Sequence, residues 1–463
     1  MTTTLPRLEI SEELIRRFDS LGPRYTSYPT ADRFRPDFDE SNYIKYLHTH
    51  TPSTQVVPLS IYVHLPFCAS ICYYCGCNKI ITKDHGRSAK YLRYLEKEMA
   101  LVASHLEPGR RVEQLHLGGG TPTFLSKDEL IELMAMLRKH FNFNPQAELA
   151  IEIDPRTVTG DLLSMLAGLG FNRTSLGVQD FDPEVQRAIN RIQPIEMVES
   201  AIKASREAGF LSVNFDLIYG LPKQNLESFR KTLEEVIHLS PDRIALYNYA
   251  HLPTRFKPQR RITEGDLPTA EERLQIFMMS LRSLLDAGYI YIGLDHFAKP
   301  EDDLTKAQTA KTLHRNFQGY TTHADCDLIG LGLSSIGKVG NSYSQSVRTL
   351  DGYYERLDAG ELPIEKGFEL SQDDVLRRKV IMNFMCGANI DFEEFNREFG
   401  IDFKQYFADE LTRLELFHDA ELIRIDANAI NITPKGRMFV RAVGMVFDKY
   451  LSQTTTSHYS KLI

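Results

Sequence analysis

Between residues 60 and 294 the chain alternates between two hydrophobic periods, and that alternation limits its fold more than any other feature. Short apolar stretches at residues 60–65, 112–117, 149–153, 174–178, 213–218 and 244–249 read as strands. Between them, segments such as 90–105, 162–169, 195–208 and 228–239 carry apolar residues near a 3.6 spacing. Ser126 with Glu129 and Thr269 with Glu272 have the spacing of capping boxes, so each opens a helix. A further strand is expected at 289–294. Strands joined through helices run parallel, because a tight hairpin only joins antiparallel ones. At least six β/α units in about 240 residues predict an α/β fold with a parallel sheet, open or closed into a full or partial barrel.

The flanks differ from this middle. Residues 1–45 hold a short helical pattern (Leu14, Ile15, Phe18) and then the Gly22-Pro23-Arg24-Tyr25-Thr26-Ser27-Tyr28-Pro29-Thr30 stretch, which reads as an arm. Residues 49–58 look like a connection. After about residue 365 helical patterns dominate at 375–384, 392–399, 407–417 and 436–451, with a short hairpin at 422–425 and 429–432. The expected organisation is therefore an arm over 1–45, a main α/β domain over 46–365 and a smaller, mainly helical domain over 366–463. A content of 42% hydrophobic and 25% charged residues excludes a disordered chain or a fibrous repeat. The net charge of −8 gives no global attraction for nucleic acid or anionic membrane, so an anionic ligand would need a local basic pocket. Residues 1–10 lack an apolar leader core, and no run of about 18 apolar residues occurs. The final Ser460-Lys461-Leu462 is followed by Ile463, which spoils a peroxisomal reading. The expectation is a cytoplasmic protein.

Of six cysteines, four fall within ten residues: Cys68, Cys72, Cys75 and Cys77. Such clustering in a large chain points to metal or redox chemistry, not to a disulfide framework. Thiolates hold iron–sulfur clusters, and three of them on one short loop would leave a fourth iron open to a small-molecule chelator. A zinc site would want a second pair of ligands, and a Cys72–Cys75 redox pair would leave Cys68 idle. Directly after the second strand comes Gly118-Gly119-Gly120-Thr121, where the backbone can approach a ligand closely. Glu152, Gln179, Asp216 and Ala250 lie in or just after later strands, near the carboxyl ends where β/α barrels bind ligands. His64 and His116 read as hydrogen-bonded core residues, Cys326 and Cys386 as inert thiols, and Arg260-Arg261 as a solvated loop.

The C-x3-C-x2-C spacing with Tyr74 before the last cysteine resembles the radical S-adenosylmethionine (SAM) superfamily. The wider blocks are more specific: residues 68–79, 22–30, 118–123, Phe215 to Pro222, Asn248 to Pro253 and His314 to Tyr320 together resemble the oxygen-independent coproporphyrinogen III oxidase (dehydrogenase) family over nearly the whole chain. The resemblance implies a partial (β/α)6 barrel, with the arm over the active site. It implies oxidative decarboxylation of two propionates of coproporphyrinogen III to vinyls in haem biosynthesis, using one 4Fe–4S cluster, two SAM molecules and a 5′-deoxyadenosyl radical. By the same carry-over, Cys68, Cys72 and Cys75 ligate the cluster. Tyr62, Gly119, Glu152 and Ile336 line the first SAM; Tyr74, Gly120, Thr121, Gln179, Arg191, Asp216 and Ala250 line the second. An electron donor such as flavodoxin or ferredoxin and a monomeric state are also expected. Related radical SAM haem chaperones usually lack both the arm and a cysteine at the position of Cys77, so the dehydrogenase reading is preferred. The substrate's four carboxylates need basic anchors, for which Arg24 and Arg315 are the candidates, and Cys77 is a candidate for a spare ligand or a proton or hydrogen relay, beside the reading of a plain packed cysteine.

Overall fold

The strands form where the sequence concentrates apolar residues, but burial decides their faces. The computed structural model describes residues 12–18, 21–48, 56–323, 326–387 and 389–451. The expectations for residues 1–10 and 460–463, and for most of the 49–58 connection, lie outside these.

Among the described residues twelve strands join one sheet: β1 (Leu59–Leu65), β2 (Arg111–Gly119), β3 (Asn142–Ile153), β4 (Arg173–Gln179), β5 (Ser212–Tyr219), β6 (Arg243–Asn248), β7 (Ile290–Gly293), β8 (His296–Ala298), β9 (Asp327–Leu331), β10 (Ile336–Val339), β11 (Ser342–Ser346) and β12 (Ile364–Glu369). Their order is β12-β11-β10-β9-β1-β2-β3-β4-β5-β6-β8-β7. β9 and β1 to β6 run parallel to one another. Both margins are antiparallel: β10 to β12 on one side, and the β7–β8 pair on the other. The parallel centre alternates buried with half-buried positions, one face turned to the covering helices and the other to the sheet's concave interior. This is the α/β fold with a parallel sheet that the alternation leads one to expect.

Both predicted capping boxes form, at Ser126–Glu129 and Thr269–Glu272. Three elements depart from the sequence reading. The strand expected at 149–153 begins at Asn142, because Asn142 and Phe143 find partners in Arg111 and Val112 of β2 across a register shift. The strand expected at 289–294 is a margin strand in an antiparallel pair, not another parallel unit. The terminal helix expected over 436–451 is a 3-10 turn (Lys435–Phe439) followed by a short α-helix (Val440–Met445). Tertiary bonds shape that segment: Arg437 Nη2 donates to the carbonyls of Tyr291 and Ile292, and Arg441 donates to those of Gly22 and Pro23.

The arm is strapped down by the last segment of the chain. Tyr25 donates its hydroxyl to Asp448 at 2.9 Å, and Arg33 donates to the Tyr450 carbonyl. Tyr25 and Tyr28 are buried. Phe34 stacks on Tyr343, with ring centroids 5.6 Å apart, and so reaches the β11 margin.

Candidate active site

The site is built at the carboxyl ends of the parallel strands. β1 ends at Leu65 and the cysteine loop follows at once. The loop is pinned by a short parallel pairing of Phe67–Cys68 with Ile80–Ile81. The glycine run at the end of β2 knits into it: Gly120 N donates to Leu65 O at 2.8 Å, and Thr121 N to Phe67 O at 2.9 Å. A Cβ on Gly120 would lie 2.7 Å from the Pro66 carbonyl carbon, so only glycine permits this approach.

Each of the first two thiols faces hydrogen-bond donors. Thr121 Oγ1 donates to Cys68 Sγ at 3.4 Å. Arg191 Nη1 and Arg156 Nη2 approach Cys72 Sγ at 3.5 and 3.7 Å. Cys72 is buried, while Cys68 and Cys75 are half-buried and Cys77 is exposed. Burial pushes the Cys68 thiol up to about 11 against the Thr121 hydrogen bond. A hydrogen bond from Cys77 brings Cys75 down to about 6, despite burial, with help from the Lys79 charge. The same contact pushes Cys77 well up, so between the two the proton stays on Cys77. Among the described residues no three His, Cys, Asp or Glu side chains converge as a single metal ion requires. A multi-iron cluster asks instead for thiolates spread along a loop and for donors that offset their negative charge. Cys68, Cys72 and Cys75, with Thr121, Arg156 and Arg191, fit that requirement.

Tyr62, Gly119, Glu152 and Ile336 come together. Tyr62 pairs with Gly330 on one side and His116 on the other, and the β9–β10 register sets Ile336 opposite Gly330. Glu152 accepts from Gly119 N at 3.2 Å and shares a 3.1 Å contact with His116 Nε2. Burial alone would raise Glu152, but the His116 hydrogen bond and charge and the Gly119 N–H hold it below its usual value. His64 Nε2 lies 2.9 Å from the Asn78 carbonyl, which only accepts, so the proton is on Nε2 and Nδ1 takes the Tyr62 hydroxyl at 3.2 Å. Burial depresses its pKa, and both nitrogens are occupied: His64 is a neutral, satisfied core histidine.

The other set is more spread. Gln259 Nε2 bridges the Tyr74 and Ala250 carbonyls at 2.9 and 3.2 Å. Gln179 adopts φ 67° and, with Arg191, crowds Gly177. Asp216 pairs across the sheet with Gly177 and accepts from Ser175 Oγ at 2.7 Å and Asn214 Nδ2 at 3.0 Å. Burial, more than these bonds offset, pushes Asp216 up to about 6. Arg191 is largely engaged already: it donates to Gly177 O and to Asp154 Oδ2 at 3.1 Å. Asp154 also holds Arg156 at 2.7 Å. The sequence reading passed over Asp154 and Arg156; their signal was the polar Asp154-Pro155-Arg156 turn directly after β3.

Asp216, Glu152, His116 and Tyr247 line a cavity of about 150 Å³ inside the sheet. The two arginine candidates lie by Tyr247 and Tyr320 of that lining, in different states. Arg24 is neutralised by Asp295 at 2.8 Å and lies over the Tyr247 ring. Arg315 is buried, with Nε and Nη1 unpartnered, and stacks over Tyr320 with its guanidinium 4.8 Å from the ring centre. It makes no ion pair among the described residues. Beside it, Gln318 Nε2 and His296 Nδ1 also lack partners. Burial and then the Arg315 charge push His296 down to about 3, so it is neutral.

Comparison with known proteins adds a second line of observation. The Radical SAM superfamily matches residues 62–236, and the HemN C-terminal domain matches residues 370–439. The oxygen-independent coproporphyrinogen III oxidase of Pseudomonas aeruginosa is 50% identical over 453 residues, covering 97% of this chain and 98% of its own length. That of Escherichia coli K12 is 45% identical over 440 residues, 95% of each chain. The solved structure of coproporphyrinogen III oxidase (HemN) from Escherichia coli, described as a radical SAM enzyme, superposes with a TM-score of 0.91 at 44% identity, over 96% of this chain and all of that one.

Proposed function

This chain belongs to the oxygen-independent coproporphyrinogen III oxidase family of radical SAM enzymes, and on that footing we propose that it oxidatively decarboxylates two propionates of coproporphyrinogen III to vinyls, giving protoporphyrinogen IX in haem biosynthesis. The observation that carries the reading is the cysteine loop at the head of a parallel barrel, its sulfurs facing Thr121, Arg156 and Arg191. When bound, a 4Fe–4S cluster and SAM supply a carbon radical able to take hydrogen from a C–H bond that no protein base can ionise. The residues of the chain hold, orient and shield.

Cys68, Cys72 and Cys75 hold the cluster. Arg156 and Arg191 offset its negative charge, and Asp154 fixes both guanidiniums. Tyr62, Gly119, Glu152 and Ile336 receive one SAM: Glu152, kept ionised, suits a cationic or hydroxyl group, and the glycine backbone admits the methionine part. Tyr74, Gly120, Thr121, Gln179, Arg191, Asp216 and Ala250 receive a second. Arg315 anchors a substrate carboxylate. A buried cation without an anion is costly, and a propionate removes that cost by forming a charge-assisted pair. Arg24, which is already paired, serves as a second anchor only by exchanging Asp295 for substrate. Among the described residues, those of the arm cover the site, those of the main α/β domain carry the catalysis, and those of the mainly helical domain brace the arm. No described helix is long and apolar enough to cross a membrane. We place the enzyme in the cytoplasm as a monomer, served by a one-electron carrier such as flavodoxin or ferredoxin. Cys77, exposed beside Cys75, is assigned the relay role.

The test is anaerobic turnover of the reconstituted protein with SAM, a reductant and coproporphyrinogen III. Protoporphyrinogen and 5′-deoxyadenosine should appear together, and both should vanish in Cys72→Ala. Deoxyadenosine without decarboxylated product would assign a different substrate. Tight haem binding with neither product would move the chain to the chaperone reading.

A further inference from the structure

The segment 255–261 reads Arg-Phe-Lys-Pro-Gln-Arg-Arg. It holds four cations and no carboxylate in a chain whose net charge is −8. Arg255, Lys257, Arg260 and Arg261 are exposed. None makes an ion pair among the described residues, although exposed cations elsewhere on the surface, such as Arg230 and Lys223, have carboxylate partners. Nearby Asp266 is taken by Lys223 at 2.6 Å.

The segment is packed directly on the cysteine loop. The Phe256 ring lies so close to Gly76, between Cys75 and Cys77, that a Cβ there would be 3.1 Å from it. Gln259 Nε2 holds the Tyr74 carbonyl at 2.9 Å. Arg261 lies over the Tyr73 ring, 5.1 Å from its centre, and its Nη1 reaches the Tyr73 hydroxyl at 3.3 Å. Arg255 lies over Phe256, 5.4 Å from that ring's centre. The cations are therefore grouped at the surface, on a segment packed against the loop that carries the proposed cluster ligands.

We propose that residues 255–261 are the docking surface for a small acidic one-electron carrier protein that reduces the cluster. This rests on the reading of Cys68, Cys72 and Cys75 as cluster ligands. Per encounter the carrier is oxidised by one electron and the cluster is reduced by one; no bond or proton changes at the surface itself. Two facts favour this partner. A transient carrier must approach the cluster closely, and this exposed surface packs against the cysteine loop. The global field of an acidic chain repels an acidic carrier, so a local cluster of unpaired cations is what steers it. Arg260 and Arg261 are exposed, as the sequence reading of a solvated loop expects, and the proposal adds a partner for them.

The experiment uses the reconstituted holoenzyme and the triple variant R255Q/K257Q/R260Q, which leaves Arg261 on Tyr73. Oxidised flavodoxin is titrated by calorimetry at low and high salt, and cluster bleaching by flavodoxin hydroquinone is followed by stopped flow. Dithionite reduction and dithionite-driven deoxyadenosine formation are measured beside them. At low salt the variant should bind flavodoxin about tenfold more weakly and accept electrons about tenfold more slowly, with a flatter salt dependence. Dithionite reduction should be unchanged, and R255K/R260K should behave as wild type. Equal flavodoxin affinity and rate in the triple variant would overturn the docking surface alone. A wild-type protein that binds no cluster, or yields no deoxyadenosine with dithionite, would overturn the cluster reading and the docking surface with it.

Discussion

At the scale of single residues, the decisive positions are those that hold a backbone or a charge where a ligand needs it. Gly119 has φ 114°, and a Cβ there would meet the His64 ring at 2.7 Å. His64 cannot swing away without breaking bonds to Tyr62 and Asn78. Gly119→Ala should therefore cost about 2 kcal/mol, the sum of left-handed strain and overpacking, read from denaturant unfolding of the cluster-free protein. It should also abolish SAM binding by equilibrium dialysis. Arg315 gives a test of opposite sign. Its guanidinium is buried and carries no ion pair among the described residues. Replacing it by Met should raise the melting temperature of substrate-free protein while raising KM at least tenfold, because the cation strains the fold until a carboxylate arrives. A fall in stability with KM unchanged would make Arg315 a structural residue.

At the scale of elements, a buried carboxylate ties the long helix His85–His105 to the turn between β9 and β10. Glu98 accepts from Tyr353 Oη at 2.6 Å and Gly332 N at 2.7 Å through one oxygen. Burial raises its pKa from 4.5 to about 7, more than the two bonds lower it. The folded state thus keeps a proton that the unfolded chain has released. Stability tied to this group is fully present below about pH 4.5 and is lost as pH rises through about 7. The whole loss is about 3 kcal/mol, from the shift and the usual conversion. Glu98→Gln, which does not titrate, should flatten the dependence of melting temperature on pH between 5 and 8; an unchanged slope would place the titration elsewhere. The parallel strands themselves were legible in the sequence because a strand buried between helices and a barrel interior needs an apolar run, and Leu115, Ile151 and Leu217 supply it. The amino-terminal half of β3 was not, since Asn144, Pro145 and Gln146 show no strand pattern; Asn142 and Phe143 pair with β2, and Asn144 Nδ2 donates to the Glu113 carboxylate.

At the scale of the whole molecule, the two ends of the described chain close on one another. Arg441, buried, donates to the carbonyls of Gly22 and Pro23, and Asp448 accepts from Tyr25. Arg24 lies beside these residues and over Tyr247 of the cavity lining, so the strap also positions the arm against the site. Arg441→Met should destabilise the protein by about 2–3 kcal/mol, the cost of orphaned buried carbonyls. Amide exchange in residues 21–35 should quicken more than in β1 to β6, as mass spectrometry would show. Uniform quickening would mean the arm is held by its own aromatic packing instead.

The sequence by itself determined the chemistry and the body that carries it. Four cysteines in ten residues, a glycine run one strand later and six alternating β/α units are local patterns, and local patterns follow from spacing alone. Tertiary structure decided what depends on contact between distant segments. It set Arg156 and Asp154 behind Cys72, left Arg315 buried without an anion among the described residues while giving Arg24 to Asp295, and packed the cationic segment 255–261 against the cysteine loop. A charge's meaning lies in its neighbours, and those neighbours are distant in the chain: 84 residues separate Arg156 from Cys72 and 271 separate Arg24 from Asp295.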